Sequence, residues 1–154
     1  MIIQAARDLG AVLATTPNYS LFVDRPRWDD LHAMKRIALA HAEFLNAGMP
    51  AALHVNGRTE WDFARWADFI LAHPEVTHLS FEFTTGTGRP TRRRQHGAWL
   101  CEVAGTAGRP LYLLVRGGSD LLPELSAAFA GVTFLETTSF LKTMMRYHAV
   151  KGPR

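Results

Sequence analysis

Polar and apolar residues alternate with a period of two in several short stretches of the chain, and between them apolar residues recur at helical spacing. The clearest alternation spans residues 77–84, with Leu79, Phe81 and Phe83 on one face and Ser80, Glu82 and Thr84 on the other, running out into the glycine turn Gly86, Thr87, Gly88. Residues 51–56, 111–116 and 132–137 read as further strands, and residues 11–15 as a short, apolar one. Residues 3–9 read as a helix that stops at Gly10. From 27 to 47, Trp28, Leu31, Met34, Ala38, Ala42 and Leu45 form an apolar helical stripe ended by Gly48. Thr59 with Asp62 three residues on is an acidic capping box, opening a helix with Phe63, Trp66, Phe69 and Ile70 on one face and Pro74 as its stop. A further helix carries Trp99, Leu100 and Val103 and closes at Gly108, and a short one spans 121–130 behind Gly117, Gly118 and a capping Ser119 or Asp120. Thr138 or Ser139 caps the last, which runs to about His148.

Strands and helices in alternation, with connections too long for hairpins, predict parallel strands joined by right-handed crossovers. The fold class is therefore α/β, one domain over residues 1–148 with a basic tail at 149–154. A doubly wound sheet covers both strand faces with helices, so its central strands are apolar throughout. Here a polar face is assigned to His54 and Asn56, to Ser80, Glu82 and Thr84, to Leu114 and Arg116, and to Phe134, Glu136 and Thr138. The apolar set is Leu53, Val55, Phe81, Phe83, Leu113, Val115 and Leu135. That pattern suits the wall of a (β/α)-barrel, in which inward residues near the strands' carboxyl ends build a site. Five strands cannot close a barrel of about 250 residues. The expectation is a parallel five-stranded, partial barrel-like arc, with a flavodoxin-like open sheet as the alternative. An arc implies a fragment of a longer protein, a homo-oligomer, or partner strands supplied from elsewhere.

Composition narrows the classes further. With 154 residues, 47% of them hydrophobic, the chain supports one core. Its single cysteine, Cys101, excludes a disulfide framework and a cysteine metal cluster. No apolar run approaches the roughly 20 residues of a membrane span, and the first residues lack the layout of a signal peptide, so the expected setting is cytoplasmic. The net charge of +3 is concentrated in Arg89, Arg92, Arg93 and Arg94 and in the tail residues Lys151 and Arg154. Such a cluster is either a solvated face or a nucleic-acid interface.

Glu82 and Glu136 are the leading chemical candidates, because a carboxylate within a strand is paired, hydrated or functional. Either suits a general base or a divalent-metal ligand, with His54 as third member. The competing reading joins them to Arg116 and His54 in an internal ion network. The turns after residues 84 and 116 suit phosphate binding through their amides, but simple chain reversal at their glycines is the favoured explanation. His32, His41, His73, His78, His96 and His148 show no metal-motif spacing and receive no role. Trp61, Trp66, Phe69 and Trp99 are assigned to the core.

The connection Thr16, Pro17, Asn18, Tyr19, Ser20, Leu21, Phe22, Val23, Asp24, Arg25, Pro26 resembles the motif of an uncharacterised domain family carried by phages, plasmids and bacterial genomes. That motif reads Ser or Thr, Pro, Asp or Asn, an aromatic, Ser, Leu, an aromatic, any residue, Asp, any residue, Pro. The resemblance covers about the first third of the chain. It implies a prokaryotic or mobile-element setting, no particular reaction, and a purpose for Asn18, Ser20 and Asp24. Asn18 stands where an acidic residue is more usual, which argues against acid catalysis there.

The function expected is an enzyme domain whose polar site at the strands' carboxyl ends comprises Asp24, His54, Asn56, Glu82, Arg116 and Glu136, with Thr84, Asn18 and Ser20 assisting in substrate binding. Arg116 would hold an anion and Glu82 or Glu136 a proton, in hydrolysis or transfer on a phosphate-bearing or nucleotide-like substrate. The alternative is a non-catalytic module that binds nucleic acid through Arg89, Arg92, Arg93 and Arg94, or a partner chain through its open face.

Overall fold

A computed structural model describes residues 2–22, 24–84 and 90–146. The expected glycine turn at 86–88, Arg89, His148 and the basic tail lie outside the described residues. In chain order the elements are α1 (Ile2–Asp8), β1 (Ala14–Thr15), α2 (Arg27–Asn46), β2 (Ala51–His54), α3 (Glu60–Ala72), β3 (His78–Glu82), α4 (Pro90–Ala107) and β4 (Tyr112–Arg116). A 3₁₀ turn, Ser119–Leu121, then leads to α5 (Leu122–Ala128), β5 (Gly131–Leu135) and α6 (Thr138–Met144). Among the described residues no helix is long and apolar enough to cross a membrane.

All five strands are parallel and form one open sheet in the order β1-β2-β3-β4-β5. Strands consecutive in sequence are thus neighbours in space, as in a barrel wall; a flavodoxin-like sheet would place its second strand outside its first. The alternation of side chains explains why helices gather on one face. Leu53, Leu79 and Leu113 sit in register across β2, β3 and β4, and each is fully buried. With Val55, Phe81 and Val115 they join Ile37 of α2, Phe63 and Ile70 of α3, Leu100 and Val103 of α4 and Leu125 of α5 in one apolar cluster. Each such side chain contributes about 1.5–3 kcal/mol by leaving water.

Four expectations are corrected. In β5, Phe134 pairs with Val115 and packs on the core, whereas Leu135 pairs with Arg116 on the opposite face and is 39% exposed. The assignment of Phe134 to the polar face and Leu135 to the apolar one is therefore reversed, because a one-residue slip in register inverts every side chain in the strand, and Glu136 and Thr138 lie beyond β5. In α2 the buried stripe is Asp30, Met34, Ile37 and His41, and Trp28 is 69% exposed. Trp61, assigned to the core, is 72% exposed, while Trp66 is buried and Phe69 and Trp99 pack against the core as expected. The strand read over residues 11–15 is only two residues long.

The capping box at Thr59 forms with both of its hydrogen bonds. Gly117 and Gly118 end β4 with φ of 74° and 72°, conformations that side chains strain to adopt. A Cβ on Gly118 would come within 2.7 Å of the Phe83 ring, and one on Gly117 within 2.6 Å of the Thr84 methyl. Close packing against the end of β3 therefore accounts for both glycines. Gly118→Ala is expected to cost about 2 kcal/mol from the left-handed backbone and the collision together, measured as a shift in the urea midpoint; a loss below half of that would mean Phe83 moves aside freely.

Candidate functional site

Parallel strands deliver their carboxyl ends and the connections that follow to one side of the sheet, and there the chain forms a cleft of about 520 Å³. Asn18, Ser20 and Asp24 line it from the connection after β1; His54, Asn56 and Arg58 from the end of β2; Glu82 from β3; and Arg92 and His96 from the start of α4. Leu21, Phe22 and Phe81 supply its apolar surface.

The connection after β1 is fastened at several points. The Phe22 amide donates to Asp30 (3.1 Å), and its carbonyl accepts from the Arg58 guanidinium, which also pairs with Asp30 at 2.8 Å. Arg27 in turn bridges Asp30, at 3.5 Å, and Asp62. Asp30 and Asp62 are both buried, so these contacts are what permit their charge to be there. Asn56 donates to Asn18 Oδ1 (2.7 Å) and to the Tyr19 carbonyl (3.0 Å), and its own carbonyl accepts from the Trp66 indole at 2.8 Å. The Arg36 guanidinium lies 3.9 Å over the Tyr19 ring, a cation–π contact.

His54 is buried against the sheet. Its amide donates to Thr16 Oγ1 (2.8 Å), and its Nδ1 lies 3.2 Å from Ser80 Oγ. Burial pushes the imidazole down to a pKa of about 4, against an opposing pull from the Glu82 carboxylate. The ring is thus neutral at physiological pH. Glu82 accepts from Thr84 Oγ1 and from Arg116 Nη1 at 3.2 Å, and Arg116 Nε donates to Thr137 Oγ1 at 2.9 Å.

The geometry thus brings Asp24, His54, Asn56, Glu82, Asn18 and Ser20 together. It leaves out Glu136, which is exposed, lies just beyond the end of β5 and is not among the described residues lining the cleft. Arg116 and Thr84 serve Glu82 rather than the cleft wall, the ion-network arrangement for this part of the site. The arginine cluster is dispersed: Arg92 faces the cleft, Arg93 pairs with Asp120 at 3.1 Å, and Arg94 is exposed. Among the described residues no group of three or more His, Cys, Asp or Glu side chains is placed to hold a metal ion.

Two lining residues had no sequence signal assigned to them. His96 is buried, with Nδ1 2.7 Å from the Arg92 carbonyl and Nε2 3.2 Å from the Gly57 carbonyl, so it ties the start of α4 to the end of β2. The rings of Phe63 and Trp99 approach it at 5.5 and 5.2 Å. Nothing in its spacing sets it apart from the other histidines. Arg58 precedes the capping Thr59, and only the folded position of Asp30, 28 residues away in the sequence, reveals its partner. Compared with known proteins, the chain matches no family model, no curated protein and no solved structure.

Proposed function

We propose that this cleft is the active site of a hydrolase or transferase acting on a phosphate-bearing or nucleotide-like substrate. The observation that carries the reading is the convergence in one cleft of a neutral buried histidine, two carboxylates and the Arg92 guanidinium, delivered by three successive βα units. Arg92 stands in the first turn of α4, where the helix dipole reinforces a guanidinium in attracting an anion. It takes the anion-binding role that the sequence suggested for Arg116. His54, neutral at working pH, accepts or relays a proton, and the nearby Glu82 carboxylate favours the imidazolium formed when it does so. Asp24 is exposed and lines the cleft, open to solvent and to a ligand. Asn18, Ser20 and Asp24, the residues that the motif resemblance singles out, all line the cleft, which bears on the place of the site and not on its reaction.

Calorimetric titration with inorganic phosphate and with nucleoside monophosphates, followed by assays of phosphate release, tests this. Arg92→Gln is expected to weaken phosphate or nucleotide binding about 10-fold or more, the worth of a charge-assisted hydrogen bond, and Arg94→Gln to leave it unchanged. Wild-type protein that binds no phosphate compound at millimolar concentration would overturn the proposal. Salt-sensitive binding of oligonucleotides lost in Arg94→Gln would favour a nucleic-acid interface instead.

A further inference from the structure

The side chains of Asn18 and Asn56 stand side by side at the cleft, and their hydrogen bonds determine which way each amide faces. The Tyr19 carbonyl can only accept, so the group 3.0 Å from it must be the Asn56 amide nitrogen. The second hydrogen of that nitrogen goes to Asn18, which must therefore turn its oxygen inward, at 2.7 Å. Two groups are left over: Asn56 Oδ1, an acceptor, and Asn18 Nδ2, with two hydrogens to donate. Among the described residues neither has a hydrogen-bond partner.

We infer that this asparagine pair reads the edge of a nucleobase. Every nucleobase presents a donor and an acceptor on adjacent atoms of one rigid edge, the complement of an acceptor and a donor set on two oriented amides. A phosphate has no donor to offer when fully ionised. A sugar hydroxyl rotates to suit any neighbour and gains little from an orientation fixed in advance. The rest of the lining fits a flat ring: Phe22, 54% exposed, and Leu21 stand on the same connection as Asn18, and Phe81 faces the cleft from β3. An aromatic side chain beside a hydrogen-bonding edge is the combination by which single bases are held. The inference rests on the cleft's being a site for a nucleotide-like ligand, and it specifies which part of that ligand the asparagines hold.

Asn18→Asp isolates the effect. A carboxylate at this position still accepts from Asn56, so the connection stays fastened, but the donor turned to the ligand becomes an acceptor. The measurement is the affinity of the four common nucleoside monophosphates divided by that of ribose 5-phosphate, in wild type and variant; the ratio cancels the repulsion that the new charge exerts on any phosphate. At least one nucleotide is expected to bind the wild type about 10-fold more tightly than ribose 5-phosphate, and the variant is expected to lose that advantage while melting within a few degrees of the wild type. Asn18→Ala, which adds no charge, should lose it too. Equal binding of nucleotides and ribose 5-phosphate by the wild type, or an advantage that survives in both variants, overturns base reading while leaving a phosphate site intact. Failure of every phosphate compound to bind overturns both.

Discussion

Asp62→Ala is expected to destabilise the fold by about 3 kcal/mol, the cost of removing one partner from a buried charged network. The Asp62 carboxylate is fully buried. It accepts from the amides of Arg58 (2.8 Å) and Thr59 (3.0 Å), from Thr59 Oγ1 (3.2 Å) and from the Arg27 guanidinium. Alanine would leave two amides at the start of α3 without their acceptor and Arg27 with only its longer contact to Asp30. Because Arg27 is 42% exposed, water screens part of the ionic contribution, and most of the loss comes from the unsatisfied amides and the missing cap. Burial pushes the Asp62 carboxyl up, but the Arg27 side chain and the two amides outweigh it, so its pKa lies below the ordinary 3.8. The contribution is therefore complete above that value and disappears as pH falls through the lower, folded one. Urea titrations of wild type and variant should show the full gap at neutral pH and a shrinking gap in strong acid. A gap below about 1 kcal/mol at neutral pH, the range of an exposed pair, would mean that the network is solvated. The consequence reaches the cleft, since Arg58, next to the cap, also holds the Phe22 carbonyl in the cleft wall.

Most of this fold is legible in the sequence because period-two and helical patterns express one physical demand, that each element bury one face. Residues 77–84 show how far that goes: Leu79, Phe81 and Phe83 are buried in the apolar cluster as expected, whereas Ser80, also buried, and Glu82 make polar contacts to His54 and Arg116. The same logic fails in β5, where Phe134 and Leu135 are both apolar and adjacent. Hydrophobicity alone cannot choose between them; the choice is made by the register Val115 to Phe134, a relation between distant segments. Glu136, expected in the site as the next residue of the same alternation, lies past the end of β5. In α2 Leu31, Met34 and Ala38 of the expected stripe do reach the core, and the stripe misses the rest of the buried face for another reason. Asp30 and His41 occupy buried positions because specific partners satisfy them, Arg58 and the Phe22 amide for one and the Ala51 carbonyl, at 3.1 Å, for the other. Trp28 lies outside the stripe and stays in water.

The site divides along the same line. His54, Asn56 and Glu82 were found because a polar residue in a buried strand is conspicuous, and strand ends of parallel sheets share a side. Asn18, Ser20 and Asp24 came from the motif. His96 and Arg58 owe their place to α4 and to the turn before α3 folding over the strand ends, which no local spacing encodes.

Between about pH 6.5 and 4 the stability of the protein is expected to fall by on the order of 3 kcal/mol on account of His54, at about 1.4 kcal/mol for each unit of its displacement. Unfolded, the imidazole takes up its proton near the ordinary 6.5; folded, burial withholds it until about 4. Across that window the unfolded chain binds more protons, so acid favours unfolding, and stability is complete only above the upper value. His41, also held below 6.5 chiefly by burial, adds to the loss in the same direction. The window lies above the one in which Asp62 titrates, so the two are separable. His54→Gln should flatten the decline above pH 4 and leave the strongly acid limb, whereas Asp62→Ala should do the reverse. An unchanged slope in His54→Gln would mean that the ring is hydrated in the folded protein. Glu82→Gln removes the carboxylate that opposes the burial effect, so the His54 resonance, followed by NMR, should titrate at still lower pH. A phosphate bound in the cleft should move it the other way, because a second anion near the ring favours the imidazolium. That upward shift would tie the neutral histidine to the ligand, and thereby the buried polar face of β2 to the chemistry proposed at its end.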